Sequence, residues 1–133
     1  MTLTIRTVTE TTPQRPRAIR ISLAGSLDTA TSPDLEQELT KILLDKPRLI
    51  VFDLAGLKFI SSAGIRVLAI ARQRMDAVHG LCVVAHPQPQ VEKVLEIIRT
   101  LPGLAIFKDQ AELDAYLLEI QQKILNGELP GQA

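Results

Sequence analysis

The chain has 133 residues, enough for one domain with a core of its own. Its 15 basic residues balance its 15 acidic residues, so the net charge gives no electrostatic reason to bind nucleic acid or an anionic membrane surface. No apolar run approaches the ~20 residues that cross a bilayer. The segment from Met1 to Thr9 alternates in polarity, unlike a signal peptide. We therefore expect a cytoplasmic protein that binds neither nucleic acid nor membrane.

The first two elements are predicted to be strands. Leu3, Ile5 and Val8 lie in a threonine-rich stretch that is typical of a strand, and a loop with two prolines follows at residues 11–16. From Arg17 onward, isoleucine and leucine alternate with small or polar residues, as in a half-buried strand. The two strands are expected to pair as a hairpin.

A helix and a buried strand come next. Ser32 can accept a hydrogen bond from the free amides of a first helical turn, and Pro33 fits the first helical position without losing a hydrogen bond. Pro47 marks the exit from this helix. The nearly continuous apolar run Leu49–Leu54 predicts a central strand that is covered on at least one face.

The alternation of helices and strands then continues. A second helix is predicted from Ser62 to Val78, closed by Gly80, and a short apolar strand follows at Leu81–Ala85. Apolar residues recur at helical spacing over residues 91–98 and predict a third helix, which Pro102-Gly103 ends.

The last strand and helix are predicted near the C-terminus. Leu104–Phe107 is the strand, and Asp109 with Glu112 forms a plausible capping pair for the helix. Its apolar stripe extends from residue 113 to residue 124, and the residues after Asn126 contain the glycines and proline of a loose tail.

This order of elements predicts an α/β fold. We expect a mixed, mostly parallel sheet of about five strands with four helices and right-handed crossovers, beginning with a hairpin. The predicted domain covers residues 1–126, and a flexible C-terminal tail covers residues 127–133.

The residues that carry enzyme chemistry are sparse. His79 and His86 fall in predicted turns, and Cys82 is a lone cysteine in an apolar strand. The sequence contains no cluster of metal-ligating residues and no glycine-rich loop with nucleotide-binding spacing. We therefore expect no catalytic residue, no metal and no cofactor, and a protein that is not an enzyme.

One segment stands out, because the buried strand ends after Leu54, a short loop is expected to follow, and two serines then open a helix. A purely structural explanation is that one serine caps the helix while Ala63 and Gly64 allow close packing. When residues 62–78 are projected at about 100° per residue, one stripe faces the sheet, and it consists of Gly64, Val67, Leu68, Ala71, Met75 and Val78. The opposite face and its flank carry Ser62, Ile65, Arg66, Ala69, Ile70 and Gln73. Small and apolar residues on an outward face indicate a docking surface, although packing beneath another element of the domain explains them equally well.

A serine at the start of a helix is also suited to modification. The helix N-terminus favours negative charge, so a folded domain would tolerate a phosphate there. Phosphorylation adds about −1.5 to −2 charges and changes the surface without unfolding the domain. A partner that buries this position would then meet a strong desolvation cost.

The same segment resembles the signature of the STAS domain family. In that signature Asp-Leu-x-x-Leu-x-Phe-Ile precedes a Ser-x-Gly or Ser-Ser-Gly turn into a helix, as Asp53–Ile60 and Ser62–Gly64 do here. Gly25–Asp28 matches the family's Gly-x-Leu-Asp element, with similar spacing to the Ser32-Pro33 helix. The resemblance covers roughly residues 3–120 and implies a single STAS-like domain.

The resemblance implies a function. Stand-alone proteins of this family are anti-sigma-factor antagonists, which bind an anti-sigma factor that is also a serine kinase of the GHKL type. Phosphorylation of one serine releases them, and a PP2C-type phosphatase resets the switch. Alignment on Gly64 implies that the acceptor is Ser62. The family often has aspartate where this chain has Ser61, which is therefore either a second site or the helix cap.

The outward face of the second helix and the resemblance together indicate where the partner binds. The expected surface comprises Asp28, Ser61, Ser62, Ala63, Gly64, Ile65, Arg66, Ala69, Ile70 and Gln73. For Asp28, loop hydrogen bonding is an equal alternative to partner contact, and Asp53 is expected to be structural. The oligomeric state is left open. Two other functions remain. The first is an adaptor or scaffold subunit of a signalling or lipid-transport complex without a switch. The second is a small-molecule-binding or nucleotide-binding domain or a weak enzyme, which needs a polar pocket.

Overall fold

The computed structural model describes residues 2–10, 17–100 and 109–128. Within these residues the elements follow the order β-β-α-β-α-β-α-α, which agrees with the order expected from the sequence for every element that lies in the described residues. The elements are β1 Leu3–Thr9, β2 Ala18–Leu27, α1 Ser32–Leu44, β3 Leu49–Ile60, α2 Ser62–Ala77, β4 Leu81–Ala85, α3 Pro89–Thr100 and α4 Gln110–Leu125.

The described strands form a mixed sheet in the order β1-β2-β3-β4. β1 and β2 are antiparallel, which confirms the predicted hairpin, and β2, β3 and β4 are parallel. The described part of the chain therefore contains four strands, one fewer than the predicted five. The fifth predicted strand, Leu104–Phe107, lies outside the described residues, as do the predicted loop at 11–16 and the helix stop at Pro102-Gly103.

The core is aliphatic and lies on both faces of β3. The alternating residues Ile21 and Leu23 of β2 are buried, as the pattern predicted. In β3, the consecutive residues Ile50, Val51 and Phe52 are all buried. Since successive side chains of a strand point to opposite faces, burial of all three means that both faces of β3 are covered.

The strand β3 is longer than the sequence predicted. A short loop was expected after Leu54, but the strand continues to Ile60 because the end of β2, from Ala24 to Leu27, supplies backbone partners. Gly25, with φ of 104°, lies at a register shift between the two strands. The prediction of a loop was wrong because hydrogen bonding to a neighbouring strand, which local composition does not encode, extended β3.

The helix ends agree with the sequence in part. The prediction that Ser32 caps α1 is wrong, because Thr31 is the N-cap, Ser32 is already helical, and its hydroxyl is buried with no hydrogen-bond partner in the described residues. The prediction for α4 is confirmed, because the Asp109 carboxylate accepts a hydrogen bond from the Glu112 N–H at 2.9 Å. Helix α2 ends at Ala77, one residue before the predicted Val78.

Candidate functional site

The candidate site lies where the parallel strands β2 and β3 end. Leu27 and Ile60 are the last paired residues of these strands, and the Ser61 N–H donates to the Leu27 carbonyl oxygen at 2.9 Å. The chain then continues into the loop at Asp28 and into helix α2. We call Asp28 and residues 61–66 the strand-end site. In α/β proteins, binding sites are commonly found at the carboxyl ends of parallel strands.

Ser61 and Ser62 have different structural positions. Ser61 is the N-cap of α2, and its hydroxyl accepts a long hydrogen bond of 3.4 Å from the Gly64 N–H. Ser62 is the first residue inside the helix. Ser61 was expected to be either a second phosphorylation site or the helix cap, and the structure supports the role of helix cap.

Gly64 allows the first turn of α2 to lie directly against the strand ends. A Cβ atom at this position would lie 2.7 Å from Leu27 Cγ and 2.9 Å from the Leu27 carbonyl oxygen. It would also lie 3.0 Å from Ile60 Cγ1. The close packing inferred from Ala63 and Gly64 is thus present, and the glycine is required by the close approach of two backbones.

The Asp28 carboxylate is used within its own loop. Its Oδ1 accepts hydrogen bonds from the N–H groups of Ala30 and Thr31, both at 3.0 Å. The Asp28 N–H in turn donates to Thr31 Oγ1 at 2.9 Å. This geometry favours loop hydrogen bonding, one of the two explanations that the sequence allowed, while Asp28 still adjoins the start of α2 through Leu27.

Asp53 has structural partners as well. Its Oδ2 atom lies 3.2 Å from Arg20 Nη1, and its Oδ1 atom accepts from the Ala55 N–H at 3.1 Å. Arg20 also pairs with Glu10 at 2.7 Å, and this hydrogen bond is the main reason that the pKa of Arg20 is raised. Asp53 therefore helps to join β2 and β3, which is consistent with the structural role predicted for it.

Ser62 lies beneath helix α4. Its N–H donates to Asp114 Oδ1 at 2.8 Å, so a carboxylate of this chain already occupies the helix start. The Ser62 hydroxyl is buried and has no hydrogen-bond partner in the described part of the chain. Ser62, which was predicted from the sequence to be a phosphate acceptor, is thus half-buried, and its hydroxyl oxygen is inaccessible in this conformation.

Gln121 connects α4 to the end of β3 by hydrogen bonds. It is 1 % exposed; its Oε1 accepts from the Ile60 N–H and its Nε2 donates to the Ile60 carbonyl, both at 2.9 Å. Nε2 also donates to the Leu117 carbonyl at 3.0 Å. Sequence reasoning missed this residue, although a glutamine four positions after Leu117, on the apolar stripe of the helix, was a signal for a buried polar contact.

Two further glutamines make hydrogen bonds to backbone carbonyls near the end of β3. β4 pairs with β3 only over Leu49–Asp53, which leaves the end of β3 without a neighbour on that side in the described residues. Gln88 Nε2 donates to the Ala55 carbonyl at 2.7 Å, and Gln90 Nε2 donates to the Lys58 carbonyl at 3.0 Å. Side-chain amides thus supply hydrogen bonds to carbonyls of β3 that have no strand partner there.

The outward face of α2 is largely open. The inward stripe is buried as predicted, except that Val78, expected to face the sheet, is exposed at the end of the helix. On the outward face Arg66, Ala69 and Gln73 are exposed, whereas Ala63, Ile65 and Ile70 are half-buried. Among the described residues, Ile65 and Ala69 border a groove of about 710 Å³ over β4, between α2 and α3.

Other candidate chemistry is limited in the described residues. They contain no group of three or more His, Cys, Asp or Glu side chains that could hold a metal ion. Desolvation by burial is the main reason that the pKa of Cys82 is raised to about 11, so its thiol stays protonated near neutral pH. None of the helices in residues 2–10, 17–100 and 109–128 has the length and apolar character needed to span a membrane.

Comparison with known proteins gives a family match. Residues 11–113 match the family model described as the STAS domain. BtrV of Bordetella bronchiseptica, which is named as an anti-sigma factor antagonist, is 36% identical over 75 residues, or 56% of this chain and 65% of BtrV. The match therefore spans slightly less than two thirds of that relative.

Solved structures share the fold. The anti-sigma factor antagonist SpoIIAA of Bacillus, in its unphosphorylated form, has a TM-score of 0.61 at 20% identity, covering 74% of this chain and 81% of SpoIIAA. SpoIIAA is also known in a phosphorylated form. An anti-sigma factor antagonist from Mycobacterium paratuberculosis has a TM-score of 0.59 at 27% identity, covering 74% of this chain and 84% of that protein. These likenesses confirm the fold class.

Proposed function

This chain belongs to the STAS domain family, and we propose that it acts as an anti-sigma-factor antagonist controlled by phosphorylation of Ser62. In its unphosphorylated form it binds an anti-sigma factor that is also a GHKL-type serine kinase, and so releases a sigma factor. Phosphorylation of Ser62 ends this binding, and a PP2C-type phosphatase reverses it. The protein works in the cytoplasm, where sigma factors act, and it binds partners without catalysing a reaction itself.

The position of Ser62 is the observation that carries this proposal. Ser62 is the first residue of α2, directly after the end of β3, and it adjoins an outward helix face on which Arg66, Ala69 and Gln73 are exposed. A partner that covers this face would also cover the start of the helix. Charge added at Ser62 would then lie at the edge of the partner surface or within it.

The modification itself is a phosphoryl transfer carried out by the partner. The Ser62 hydroxyl oxygen forms a bond to the γ-phosphorus of ATP, the bond from that phosphorus to the β–γ bridging oxygen breaks, and ADP leaves. The hydroxyl proton passes to a base on the kinase. Hydrolysis by the phosphatase consumes water and returns the serine with inorganic phosphate.

The first test is binding of Ser62 variants to a GHKL-type anti-sigma factor from the same genome. We expect Ser62→Asp to weaken the affinity by about tenfold or more, because a buried unpaired charge is costly at an interface. Calorimetry measures the affinity, and circular dichroism checks that each variant is folded. Ala77→Asp is the matched control, since it places the same charge on the exposed far end of α2 and should change the affinity by no more than about threefold.

The neutral variant Ser62→Asn separates charge from size. If Ser62→Asn weakens binding as much as Ser62→Asp does, the added volume is responsible and the proposed switch is wrong. Incubation of wild type, Ser61→Ala and Ser62→Ala with the kinase and ATP, followed by mass spectrometry, identifies the acceptor. Phosphate found on Ser61 alone would identify Ser61, and not Ser62, as the acceptor.

A second candidate function is a STAS adaptor or scaffold subunit without a switch, in a signalling or lipid-transport complex. The enclosed Ser62 hydroxyl favours it, because a buried group is not presented to a kinase. A stable partner complex whose affinity is the same for wild type and Ser62→Asp would select this function over the antagonist switch.

A further inference from the structure

We infer that the first turns of α4, residues 109–116, are a removable cover over Ser62, so that phosphorylation of Ser62 and docking of these turns exclude each other. This inference rests on the proposed function for the role of phosphate. The geometry on which it depends is independent of any partner.

Asp114 and Ser62 form the contact that closes the cover. Asp114 Oδ1 lies 2.8 Å from the Ser62 nitrogen, and the adjacent Ser62 hydroxyl is buried without a partner in the described residues. A kinase must bring the γ-phosphorus of ATP into line with this oxygen. Because Asp114 of α4 is bonded to the backbone of the same residue, movement of the Asp114 turn is the step that would uncover the hydroxyl.

The first turns of α4 are largely exposed. Within residues 111–115, Leu113 is buried and Asp114 is half-buried, whereas Ala111, Glu112 and Ala115 are exposed. Burial of Leu113 and the hydrogen bond from the Ser62 N–H to Asp114 help to hold this part of the helix. Local opening of an exposed helix end is cheaper than global unfolding.

The next turns are anchored by buried contacts. Leu117 is fully buried, and Gln121 makes hydrogen bonds to both the N–H and the carbonyl of Ile60. These contacts hold the remainder of α4 against the end of β3 while residues 109–116 lift. The cover is therefore a hinged end of the helix.

Phosphate on Ser62 would prevent the cover from closing again. A phosphoserine at this position adds about −1.5 to −2 charges on the Ser62 side chain. These charges would lie close to the Ser62 N–H, from which the Asp114 carboxylate accepts a hydrogen bond. Phosphate and carboxylate are both anions and compete for the same helix start, where each is favoured alone but the pair repel. The phosphorylated protein should thus present a new surface, with α4 displaced.

Thiol labelling measures whether position 62 is covered. We would combine Ser62→Cys with Cys82→Ala, so that one thiol remains, and measure its rate of labelling by a small disulfide reagent at pH 8. The reference is Ala77→Cys in the same background, since Ala77 is exposed at the other end of α2. We expect Ser62→Cys to react at least about tenfold more slowly than the reference, because it reacts only during local opening.

Changes at Asp114 then test the closing contact. Asp114→Ala should raise the labelling rate of Ser62→Cys at least about threefold and leave Ala77→Cys unaffected. Asp114→Asn keeps an oxygen acceptor for the Ser62 N–H and removes the charge, so it should change the rate less than Asp114→Ala does. Equal acceleration by both variants would mean that the charge alters thiol reactivity, and the cover would be refuted.

Phosphoserine incorporated at position 62 during translation tests mutual exclusion without a kinase. Hydrogen exchange of the backbone amides in residues 112–116 should be at least about tenfold faster than in the unmodified protein. Leu113→Ala is a second route to an open cover and should accelerate the same amides. Unchanged exchange in the phosphorylated protein would overturn the inference.

The cover and the proposed function can fail separately. Rapid labelling of Ser62→Cys would reject the cover, while the binding of Ser62→Asp to an anti-sigma factor would still be a valid test of the switch. Slow labelling together with unchanged binding of Ser62→Asp would reject the switch and retain the cover.

Discussion

Gly64 illustrates how a single residue decides whether α2 can dock on the strand ends. The Leu27 carbonyl oxygen and the Leu27 side chain occupy the space that a Cβ atom at position 64 would need. The backbone oxygen cannot rotate away as the end of a flexible side chain can. The start of α2, with Ser61 as its cap, is therefore placed by backbone contact as well as by apolar burial.

Gly64→Ala tests this contact through the sign of its effect. In an unhindered helix, glycine to alanine stabilises by up to about 1 kcal/mol. Here we expect the free energy of unfolding to fall by about 1–3 kcal/mol, because the added methyl group must displace Leu27 or shift the helix. Urea denaturation followed by circular dichroism measures the change, and a gain in stability would contradict the geometry.

At the scale of elements, the long strand β3 depends on side chains of helices to complete its hydrogen bonding. Its last residues pair with β2 on one side, while glutamines satisfy the other side where β4 has ended. The amide group of glutamine both donates and accepts, so Gln121 can pair with the N–H and the carbonyl of Ile60 as a neighbouring strand would. This contact joins α4 to the strand that leads into Ser62.

Gln121→Ala should weaken the attachment of α4. Since it leaves both polar groups of Ile60 unsatisfied in a buried position, we expect a loss of about 2–4 kcal/mol in the free energy of unfolding. Gln122→Ala is the matched control, because Gln122 is the exposed neighbour on the same helix, and it should change stability by less than about 0.5 kcal/mol. Chemical denaturation of the pair measures both. Equal effects would mean that the Ile60 contact contributes nothing.

At the scale of the whole molecule, an almost purely aliphatic core surrounds a sheet that is covered on both faces of β3. Cys82 lies beside this core on β4 and is partly buried, with desolvation as the main cause of its raised pKa. Its thiolate is therefore more costly in the folded protein than in the unfolded chain. Alkaline conditions should consequently destabilise the fold through this residue.

The pH dependence has a definite sign. Below the ordinary Cys pKa of about 9 the thiol is neutral in both states, and its contribution to stability is constant. Between pH 9 and the folded-state pKa of about 11, the unfolded chain loses its proton first, so stability falls. Relative to Cys82→Ala, the wild type should lose about 1–2 kcal/mol over this range, with solvent screening of the partly exposed thiol included. Parallel curves for the two proteins, measured by urea denaturation at pH 8 and pH 11, would contradict the prediction.

Much of the architecture follows from the sequence by itself. Period-two alternation in β2, the apolar run that begins β3, and the helical spacing in α2 and α4 all reflect burial, which acts on each segment locally. The Asp109 cap and the position of Ser62 at the start of α2 were also predicted, because capping depends on residues that are close in the chain.

Only the tertiary structure decided how the strand-end site is enclosed. The extension of β3 to Ile60 needs hydrogen bonds from β2, and the acceptor for the Ser62 N–H is Asp114, which is 52 positions later in the chain. Hydrogen bonds between distant segments have no periodic signature, since each requires one side chain at one place. The sequence thus determined which serine begins the helix, whereas packing of α4 placed a carboxylate at the N–H of that serine.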